Sequence, residues 1–311
     1  MSTPAPEPTP ARAPREWIID QVLPRRVVAL LVGPPGVSKT TAAIQWLASI
    51  RAGEDVFGHK TTPTEIVFVS CDRSQEEHEQ HVHALEYDPS IFHFHDQVDI
   101  RTSIERVVRG CAAQYPRASL LFIDGFARLL PNGKPNDYNE VSDFLCQCGA
   151  LARQFNKTII GCLHAGKVRE GQGYLDPRDT TCGSTAWAGF SNLMIVMQKS
   201  DPKNPADLIR DVHVLTRAGS GDFSIKLQKD PSRGGRLSPW EEVVDDVAIL
   251  NITWWLAKQD MDRLISTKEF IRIGTEFKIS KRAMERWLPQ QVEAGVLHWV
   301  RQGVYQRVRM Q

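Results

Sequence analysis

The segment Gly33–Thr40, GPPGVSKT, has the residue types and spacing of a loop that binds the phosphates of a nucleoside triphosphate. It lies between the apolar run Val27–Val32 and a helix-like segment. Backbone N–H groups of such a loop and the positive end of the following helix attract an anion. We predict that Lys39 contacts the β- and γ-phosphates and that the Thr40 hydroxyl binds magnesium. The predicted nucleotide-binding residues are Gly33, Pro34, Pro35, Gly36, Val37, Ser38, Lys39, Thr40 and Thr41.

One position departs from the pattern G-x-x-x-x-G-K-[ST] of such loops, because Ser38 stands where glycine is expected. Glycine is required where φ is positive or where the backbone approaches a ligand very closely. We therefore expect a negative φ at Ser38. The alternative for the whole segment, a Gly/Pro-rich turn without a ligand, disagrees with the strand and helix patterns on either side.

Three polar residues follow apolar runs that have the composition of buried strands. Asp124 closes the run SLLFI, Asp72 follows EIVFVSC, and His164 follows TIIGCL. Ligands bind at the carboxyl ends of parallel strands, so these residues are candidates for the nucleotide site. Asp124 would hold magnesium, Asp72 would polarise the attacking water, and His164 would contact the γ-phosphate or that water. The alternatives are a plain loop carboxylate for each aspartate and a locally hydrogen-bonded imidazole for His164.

The elements that must position these residues alternate between apolar strands and helices. This pattern predicts an α/β fold with a mostly parallel central sheet covered on both faces. The predicted strands are Glu65–Ser70, Ser119–Asp124, Thr158–Leu163 and Leu193–Met197, and the predicted helices are Gln75–Glu86, Arg101–Tyr115 and Asp137–Phe155. Arg210–Thr216 and Asp222–Gln228 predict a hairpin.

Composition is that of an ordinary globular protein: 311 residues, 41% hydrophobic and 24% charged, with a net charge of +1. This length fits two globular units. No apolar run approaches the ~18 residues of a membrane span, and Met1–Arg15 has the composition of a disordered tail rather than of a signal peptide. The six cysteines lack the spacing of a disulfide framework, which predicts a reducing, cytoplasmic location.

Cysteine and histidine spacings argue against a metal site built from these residues. Cys146 and Cys148 are two positions apart on a predicted helix, so they point about 200° apart and cannot share an ion. We expect both to be small buried hydrophobic residues. The five histidines between residues 78 and 95 match no zinc module.

Taken together, the segments resemble RecA-like ATPases of the plasmid RepA hexameric helicase type, relatives of the replicative DnaB-type helicases. The resemblance covers residues 17–227 and implies ATP, magnesium, single-stranded DNA and a homohexameric ring. It also implies a phosphate or DNA sensor at His164 and a role for Ser184. The segments that carry it are Gly33–Thr40, Leu121–Asp124 with the loop to Asp137, Leu163–Lys167, Asp176–Asp179 and Gly183–Ala186.

Two positions, Asp72 and Cys182, depart from the pattern of this family, and a third, Arg217, matches it. Asp72 stands where the family usually has a glutamate as the base, so its side chain is one methylene shorter. Cys182 stands where the family often has an arginine. Arg217 matches the zone from which such rings send an arginine into the neighbouring subunit's site, which contributes ~10³–10⁵ in rate. The alternative for Arg217 is a solvated hairpin charge.

The pattern changes after Gln228. Residues 229–246 have the composition of a linker, which assigns 16–228 to the ATPase domain and 247–311 to a second domain. This second domain resembles the winged-helix family, with helices over Val247–Lys258, Thr267–Gly274 and Ser280–Ala294, followed by two strands around Gly303.

The C-terminal domain is basic. Residues 263–311 contain ten lysines and arginines against four glutamates, a net charge of +6, so the rest of the chain is net acidic. Such an excess favours phosphate contacts, and we predict that Lys281, Arg282 and Arg286 bind DNA. The alternative is a protein-docking domain with solvated charges. Trp287, Leu288 and Trp299 are expected in its core.

These patterns predict an ATP-hydrolysing enzyme that moves on DNA, with no membrane partner. The alternative is an ATP-switched regulator that holds a duplex operator or origin and does not unwind it.

Overall fold

The computed structural model describes residues 15–95, 102–165, 184–217, 219–240, 246–260, 263–277, 279 and 281–308. The chain divides into two compact units, Met1–Trp240 and Glu241–Gln311. Except for Arg15, the predicted N-terminal tail lies outside the described residues. So do Gly166, Lys167 and residues 176–183, which carry part of the family resemblance. No helix within the described ranges is both long and apolar enough to span a membrane.

The first unit alternates strands and helices. Its strands are β1 (Trp17–Ile19), β2 (Leu23–Pro24), β3 (Val28–Gly33), β4 (Glu65–Ser70), β5 (His93–His95), β6 (Ala118–Asp124), β7 (Thr158–His164), β8 (Leu193–Lys199), β9 (Ile209–Thr216), β10 (Phe223–Asp230) and β11 (Arg236–Pro239). Its helices are α1 (Lys39–Ala52), α2 (Gln75–Ala84), α3 (Ile104–Gln114), α4 (Tyr138–Gln154) and α5 (Ala186–Phe190).

Nine of these strands form one sheet in the order β11-β10-β9-β8-β3-β7-β6-β4-β5. The pairs from β8 to β5 are parallel, and β9, β10 and β11 extend the sheet in antiparallel fashion. The predicted α/β fold with a mostly parallel sheet is confirmed, as is the β9–β10 hairpin. All residues of β3 and β6 are buried, as expected for strands covered on both faces.

Two apolar layers cover the sheet. On one face, Leu31 packs in a cluster with Ile44 of α1 and Val82 of α2. On the other, Leu30 packs in a cluster that includes Phe144 of α4. Neighbouring β3 residues thus serve opposite layers, because successive side chains of a strand point to opposite faces. Packing on both faces therefore fixes the position of β3, at whose carboxyl end the phosphate loop begins.

The predicted linker is wrong in its first part, since β10 continues to Asp230 and β11 occupies Arg236–Pro239. β11 pairs with β10, and the Gln45 side chain of α1 bonds both the N–H and the carbonyl of Leu237 at 2.7 and 2.8 Å. β10 and Gln45 thus provide hydrogen-bond partners for the backbone of β11, whose sequence has little apolar periodicity. Local composition therefore could not reveal it as a strand.

The described residues of the second unit form three helices and a three-stranded antiparallel sheet. Its elements are α6 (Asp246–Ala257), β12 (Leu264–Ser266), α7 (Thr267–Glu276), α8 (Lys281–Glu293), β13 (Leu297–Arg301) and β14 (Val304–Arg307), with strand order β12-β14-β13. Trp287 and Leu288 are buried as predicted, together with Phe270 and Leu297. The prediction for Trp299 is wrong, because its side chain is 58% exposed. It lies on the edge strand β13, which pairs only with β14.

Candidate nucleotide-binding site

The phosphate loop joins the end of β3 to the start of α1. Gly33 closes the strand, where a Cβ would lie 2.4 Å from the carbonyl oxygen of Met197 and 2.9 Å from Val37. Only glycine therefore lets β8 pass this close. Gly36 has a φ of +76°, which turns the chain toward the helix. The sequence thus places a chain reversal and a helix N-terminus directly after a buried strand, the geometry that suits an anion.

The expected negative φ at Ser38 is wrong, since φ is +75° at this residue. Ser38 is the residue before the first turn of α1, and its side chain makes no capping hydrogen bond there. The loop must bend into the helix at this point, so the backbone geometry overrides the preference of the side chain. A non-glycine residue in this conformation costs roughly 1–2 kcal/mol.

Lys39 is held back against its own loop. Its Nζ donates to the carbonyl oxygens of Gly33 at 2.8 Å and Pro34 at 3.0 Å and lies 3.4 Å from Nδ1 of His164. The residue is 7% exposed. The ammonium group is therefore positioned at the end of the central strands by several contacts rather than left in solvent.

Thr40 and Asp124 contact each other at the carboxyl ends of the central strands. The Thr40 hydroxyl donates to Oδ2 of Asp124 at 3.2 Å, and Asp124 is 8% exposed. A hydroxyl and a carboxylate are the oxygen donors that magnesium prefers. The residues present therefore fit a magnesium ion held between the helix start and the end of β6.

Sheet register brings the other strand ends to this position. Ser70 pairs with Asp124, and Asp72, two residues beyond Ser70, lines one cavity with Thr40 and Asp124. Gly33 pairs with His164, because β7 lies between β3 and β6. The predicted strand-end residues therefore converge, as the parallel-sheet argument required.

Partial burial and then the positive charge of the neighbouring Lys39 lower the pKa of the His164 imidazole from its usual value of 6.5. A neutral ring beside an ammonium group accepts through Nδ1 and carries its proton on Nε2. His164 is thus suited to donate a hydrogen bond from Nε2 at neutral pH.

These groups line a cavity of about 350 Å³. Besides the predicted residues, it is lined by Arg73, His81 and Lys229, which the sequence reasoning missed. Nε2 of His81 lies 3.1 Å from the Thr41 hydroxyl. Burial, followed by the charge of Arg73, lowers the pKa of His81.

Two of the missed residues come from elements whose proximity depends on tertiary structure. His81 lies on α2, which begins with a capping box between Ser74 and Glu77. The Ser-x-x-Glu pattern was a readable signal for the helix start. Lys229 lies on β10 but is the first residue of the segment interpreted as a linker, and no sequence signal connected it with the phosphate loop.

Arg217 does not line this cavity. Its guanidinium donates to the carbonyl oxygens of Ala188 at 3.2 Å and Gly189 at 2.6 Å, beside a separate cavity of about 340 Å³. Ser184 is also away from the nucleotide cavity, where its hydroxyl accepts from the N–H of Ala186 at 3.2 Å at the start of α5. Neither residue is among those that line the nucleotide cavity of the same chain.

The cysteines are not reactive groups of this site. Burial raises the pKa of the Cys71 thiol to about 12, and the nearby carboxylates of Asp72 and Asp124 add to the rise. Burial also raises the pKa of Cys162 well above its usual value. Both thiols are therefore protonated at neutral pH. Among the described residues, no group of three or more His, Cys, Asp or Glu side chains is arranged to hold a metal ion.

The cysteines of α4 correct another expectation. Cys148 is fully buried, but Cys146 is exposed. Positions two apart on a helix point about 200° apart. The geometry that prevents them from sharing a metal also prevents both from facing the core.

The predicted DNA-binding residues lie on one helix of the second unit. Lys281 is exposed at the start of α8, with Nζ 3.8 Å from the Glu285 carboxylate. Arg282 and Arg286 belong to the same helix, but their side chains lie outside the described part of the structure. The helix therefore carries the three basic residues, one of them with an acidic neighbour one turn away.

The loop, the adjacent Thr40 hydroxyl and Asp124 carboxylate, and the sheet order are those of a P-loop ATPase of RecA-like fold. Residues 7–170, just over half of the chain, match the profile of the family described as "AAA domain", and the chain belongs to that family. The fold is similar to a solved structure whose title describes it as an "ATPase Domain", with a TM-score of 0.53 and 14% identity over 70% of this chain and 86% of that chain. No curated protein matches the sequence.

Proposed function

We propose that this protein is an ATP-dependent DNA helicase or translocase that works as a homohexameric ring in phage or plasmid DNA replication. The observation that carries the proposal is the convergence of Lys39, Thr40, Asp72, Asp124 and His164 around one cavity. A cavity with these groups supports phosphoryl transfer to water. The basic C-terminal unit supports DNA as the partner, and a cytoplasmic location accords with both.

The nucleotide would be held by charge and by backbone donors. Lys39 would turn from the loop carbonyls to the β- and γ-phosphates, where its charge offsets theirs. Thr40 and Asp124 would hold magnesium, and their 3.2 Å hydrogen bond supports a shared position. When bound, magnesium would neutralise charge on the phosphate oxygens.

Water activation is assigned to Asp72. It follows β4 and lines the cavity with Lys39 and Asp124. A carboxylate in this position would orient the attacking water and accept its proton. His164 would report on the γ-phosphate, because its Nδ1 lies 3.4 Å from the ammonium group that must move when phosphate binds.

Arg217 is assigned to the neighbouring subunit's site. Its guanidinium is exposed and lies outside the cavity of its own chain. If Arg217 stabilises transition-state charge, it would therefore do so in the site of another copy. This supports a ring as the active form.

A second candidate function is an ATP-switched DNA-binding regulator without unwinding activity. The order of elements in the C-terminal unit favours this function. Two helices, α7 and α8, are followed along the chain by the β13–β14 hairpin, the order expected of a winged helix-turn-helix. In that case α8 would contact a duplex operator or origin through Lys281, Arg282 and Arg286.

Strand displacement on a forked DNA duplex, with and without ATP, separates the two functions. The helicase proposal predicts displacement that requires ATP and a hexameric mass in the presence of nucleotide. ATP-dependent binding to the duplex without displacement would overturn it in favour of the regulator. Hydrolysis without any DNA binding would overturn both.

A further inference from the structure

The β13–β14 hairpin of the second unit exposes an unusual set of side chains. Only Leu297 of β13 is buried, whereas the four residues after it are exposed. Trp299 is 58% exposed and Val300 is 43% exposed. Large exposed apolar side chains on an ordered element mark interaction surfaces.

Trp299 lies on the same face of the hairpin as core residues. It is two residues beyond buried Leu297, and its cross-strand partner is Tyr305. Tyr305 contacts the core through Phe270, with ring centroids 5.9 Å apart. The aromatic face therefore begins in the core and continues to the exposed edge strand.

The other exposed tryptophan of this unit provides a contrast. Trp254 is 61% exposed, but Nζ of Lys258 lies 3.4 Å from its ring centroid. Lys258 is one helical turn further along, so it covers the Trp254 ring from within the unit. Within the described part of the chain, Trp299 has no such ring or cation contact.

Two cations lie near the hairpin turn. Arg301 follows Trp299 on β13, and Lys268 lies at the start of α7. The N–H of Thr267 donates to the carbonyl of Gly303 at 2.9 Å, which fixes the start of α7 against the turn. We call Trp299, Arg301 and Lys268 the hairpin patch.

These cations differ from their neighbours in their ion pairs. Arg263 and Arg272 pair with Glu269 and Glu276 at 2.5 and 2.6 Å. Arg301 and Lys268 are exposed and pair with no carboxylate among the described residues. With a net charge of +6 over residues 263–311, the hairpin patch is complementary to a polyanion.

We propose that the hairpin patch binds single-stranded DNA, with one base stacked on Trp299 and the adjacent phosphates contacted by Arg301 and Lys268. This inference rests on the proposed DNA-dependent function and adds a contact separate from the basic residues of α8. A single strand is favoured because its unstacked bases offer a free aromatic face, which a duplex does not. Stacking on an aromatic side chain tolerates any base, as movement along DNA requires.

The test compares the full-length protein on oligo(dT) and on an abasic oligonucleotide of equal length. Both carry the phosphates, but only oligo(dT) carries bases. Trp299→Ala should weaken oligo(dT) binding at least about fivefold, the lower bound for losing one stacked base, and leave abasic binding unchanged. Trp299→Phe should restore most of the loss, and Trp254→Ala should bind like the wild type.

Photocrosslinking with a 5-iodouracil-substituted oligonucleotide locates the contact. Mass spectrometry should find the crosslink on the β13 peptide that contains Trp299. Unchanged affinity of Trp299→Ala, or equal losses on both oligonucleotides, would overturn base stacking while leaving DNA binding intact. If the wild type bound neither oligonucleotide, this inference and the DNA part of the proposed function would both fail.

Discussion

The nucleotide cavity and the hairpin patch position their functional side chains in opposite ways. In the cavity, Lys39 and Asp124 are 7% and 8% exposed; Lys39 donates to Gly33 at the end of β3, and Asp124 accepts from Thr40 at the start of α1. In the hairpin patch, Trp299 is 58% exposed and Arg301 has no described carboxylate partner.

The difference accords with the ligand proposed for each region, a nucleotide for the cavity and single-stranded DNA for the hairpin patch. Phosphoryl transfer requires groups fixed before the nucleotide arrives, because reorganisation costs rate. A polymer that slides along a surface requires accessible, sequence-tolerant contacts instead. Substitutions in the cavity should therefore change turnover, and substitutions in the hairpin patch should change DNA affinity.

The largest effect is expected for substitution of Lys39 in the cavity, which should change ATP turnover and not DNA affinity. Lys39→Ala should lower ATP turnover at least about 100-fold, because it removes the charge nearest the phosphates, while oligo(dT) binding without nucleotide persists. Lys60→Ala, an exposed lysine outside the cavity, serves as the control. Steady-state hydrolysis and circular dichroism measure activity and fold. Wild-type turnover in Lys39→Ala would contradict the phosphate-loop assignment.

Arg217 tests whether the cavity is completed by a second copy. Arg217→Ala should bind ATP but lose ~10³–10⁵ in rate. Co-expression with Lys39→Ala should restore measurable hydrolysis, since some interfaces then join an intact Lys39 site to an intact Arg217. Native mass measurement must show mixed rings. Full activity of Arg217→Ala alone, in a protein that stays monomeric with ATP and DNA, would reject the ring.

The two aspartates should separate binding from chemistry. Asp124→Asn should retain nucleotide binding and lose hydrolysis, because a neutral amide coordinates magnesium poorly. Asp72→Asn should slow turnover ~10²–10⁴-fold with near-normal ATP affinity, as expected for a general base. Asp55→Asn, exposed and outside the cavity, is the control. Persistent hydrolysis in either variant would move that role to another residue.

A histidine behind the cavity predicts a pH dependence of stability. His78 is fully buried, with Nε2 2.9 Å from the Ser70 hydroxyl and no partner for Nδ1 among the described residues. Burial lowers its pKa below the usual 6.5. Below pH 6.5 the unfolded chain therefore binds the proton first, and the free energy of unfolding falls by up to about 1.4 kcal/mol per pH unit.

Urea denaturation between pH 5 and pH 7 measures this effect. His78→Asn should flatten the pH dependence relative to the wild type, even if the variant is less stable overall. His83→Asn, at an exposed position on the same helix, should leave the slope unchanged. An unchanged slope in His78→Asn would assign the proton to another group.

The smallest expected effect concerns backbone strain in the phosphate loop. Ser38→Gly should raise the free energy of unfolding by up to about 1 kcal/mol, because relief of the positive φ exceeds the added chain entropy. Gly36→Ala should have the opposite sign: its φ is +76° and a Cβ there meets nothing within 4 Å, so the cost is conformational. Destabilisation by Ser38→Gly would show that the serine side chain stabilises the loop.

Sequence patterns predicted the parts of the molecule in which local signals agree. Continuous apolar strands identified the sheet, and the polar residues predicted at two strand ends, Asp124 and His164, both line the cavity. The patterns failed where tertiary contacts decide the structure. The backbone of β11 bonds the side chain of Gln45, 192 residues away in sequence from Leu237, and Lys229, which lines the cavity, is paired with Leu237 of β11.

Two errors have local physical causes. Trp299 was expected in the core, but it lies on the edge strand β13 and is 58% exposed. The sequence of a strand does not show where the helices that cover its sheet end. At Ser38 the residue type favoured negative φ, whereas the bend into α1 required positive φ. Residue preference is a weak guide where a turn fixes the backbone.

Steady-state ATP hydrolysis with increasing oligo(dT) tests most directly whether the cavity and the DNA surface act together. We expect turnover of the wild type to rise with oligo(dT) and to saturate at the concentration that saturates binding, whereas turnover of Lys39→Ala should stay at least about 100-fold lower at every concentration. Turnover that stays constant while oligo(dT) binding reaches saturation would contradict coupling between nucleotide and DNA.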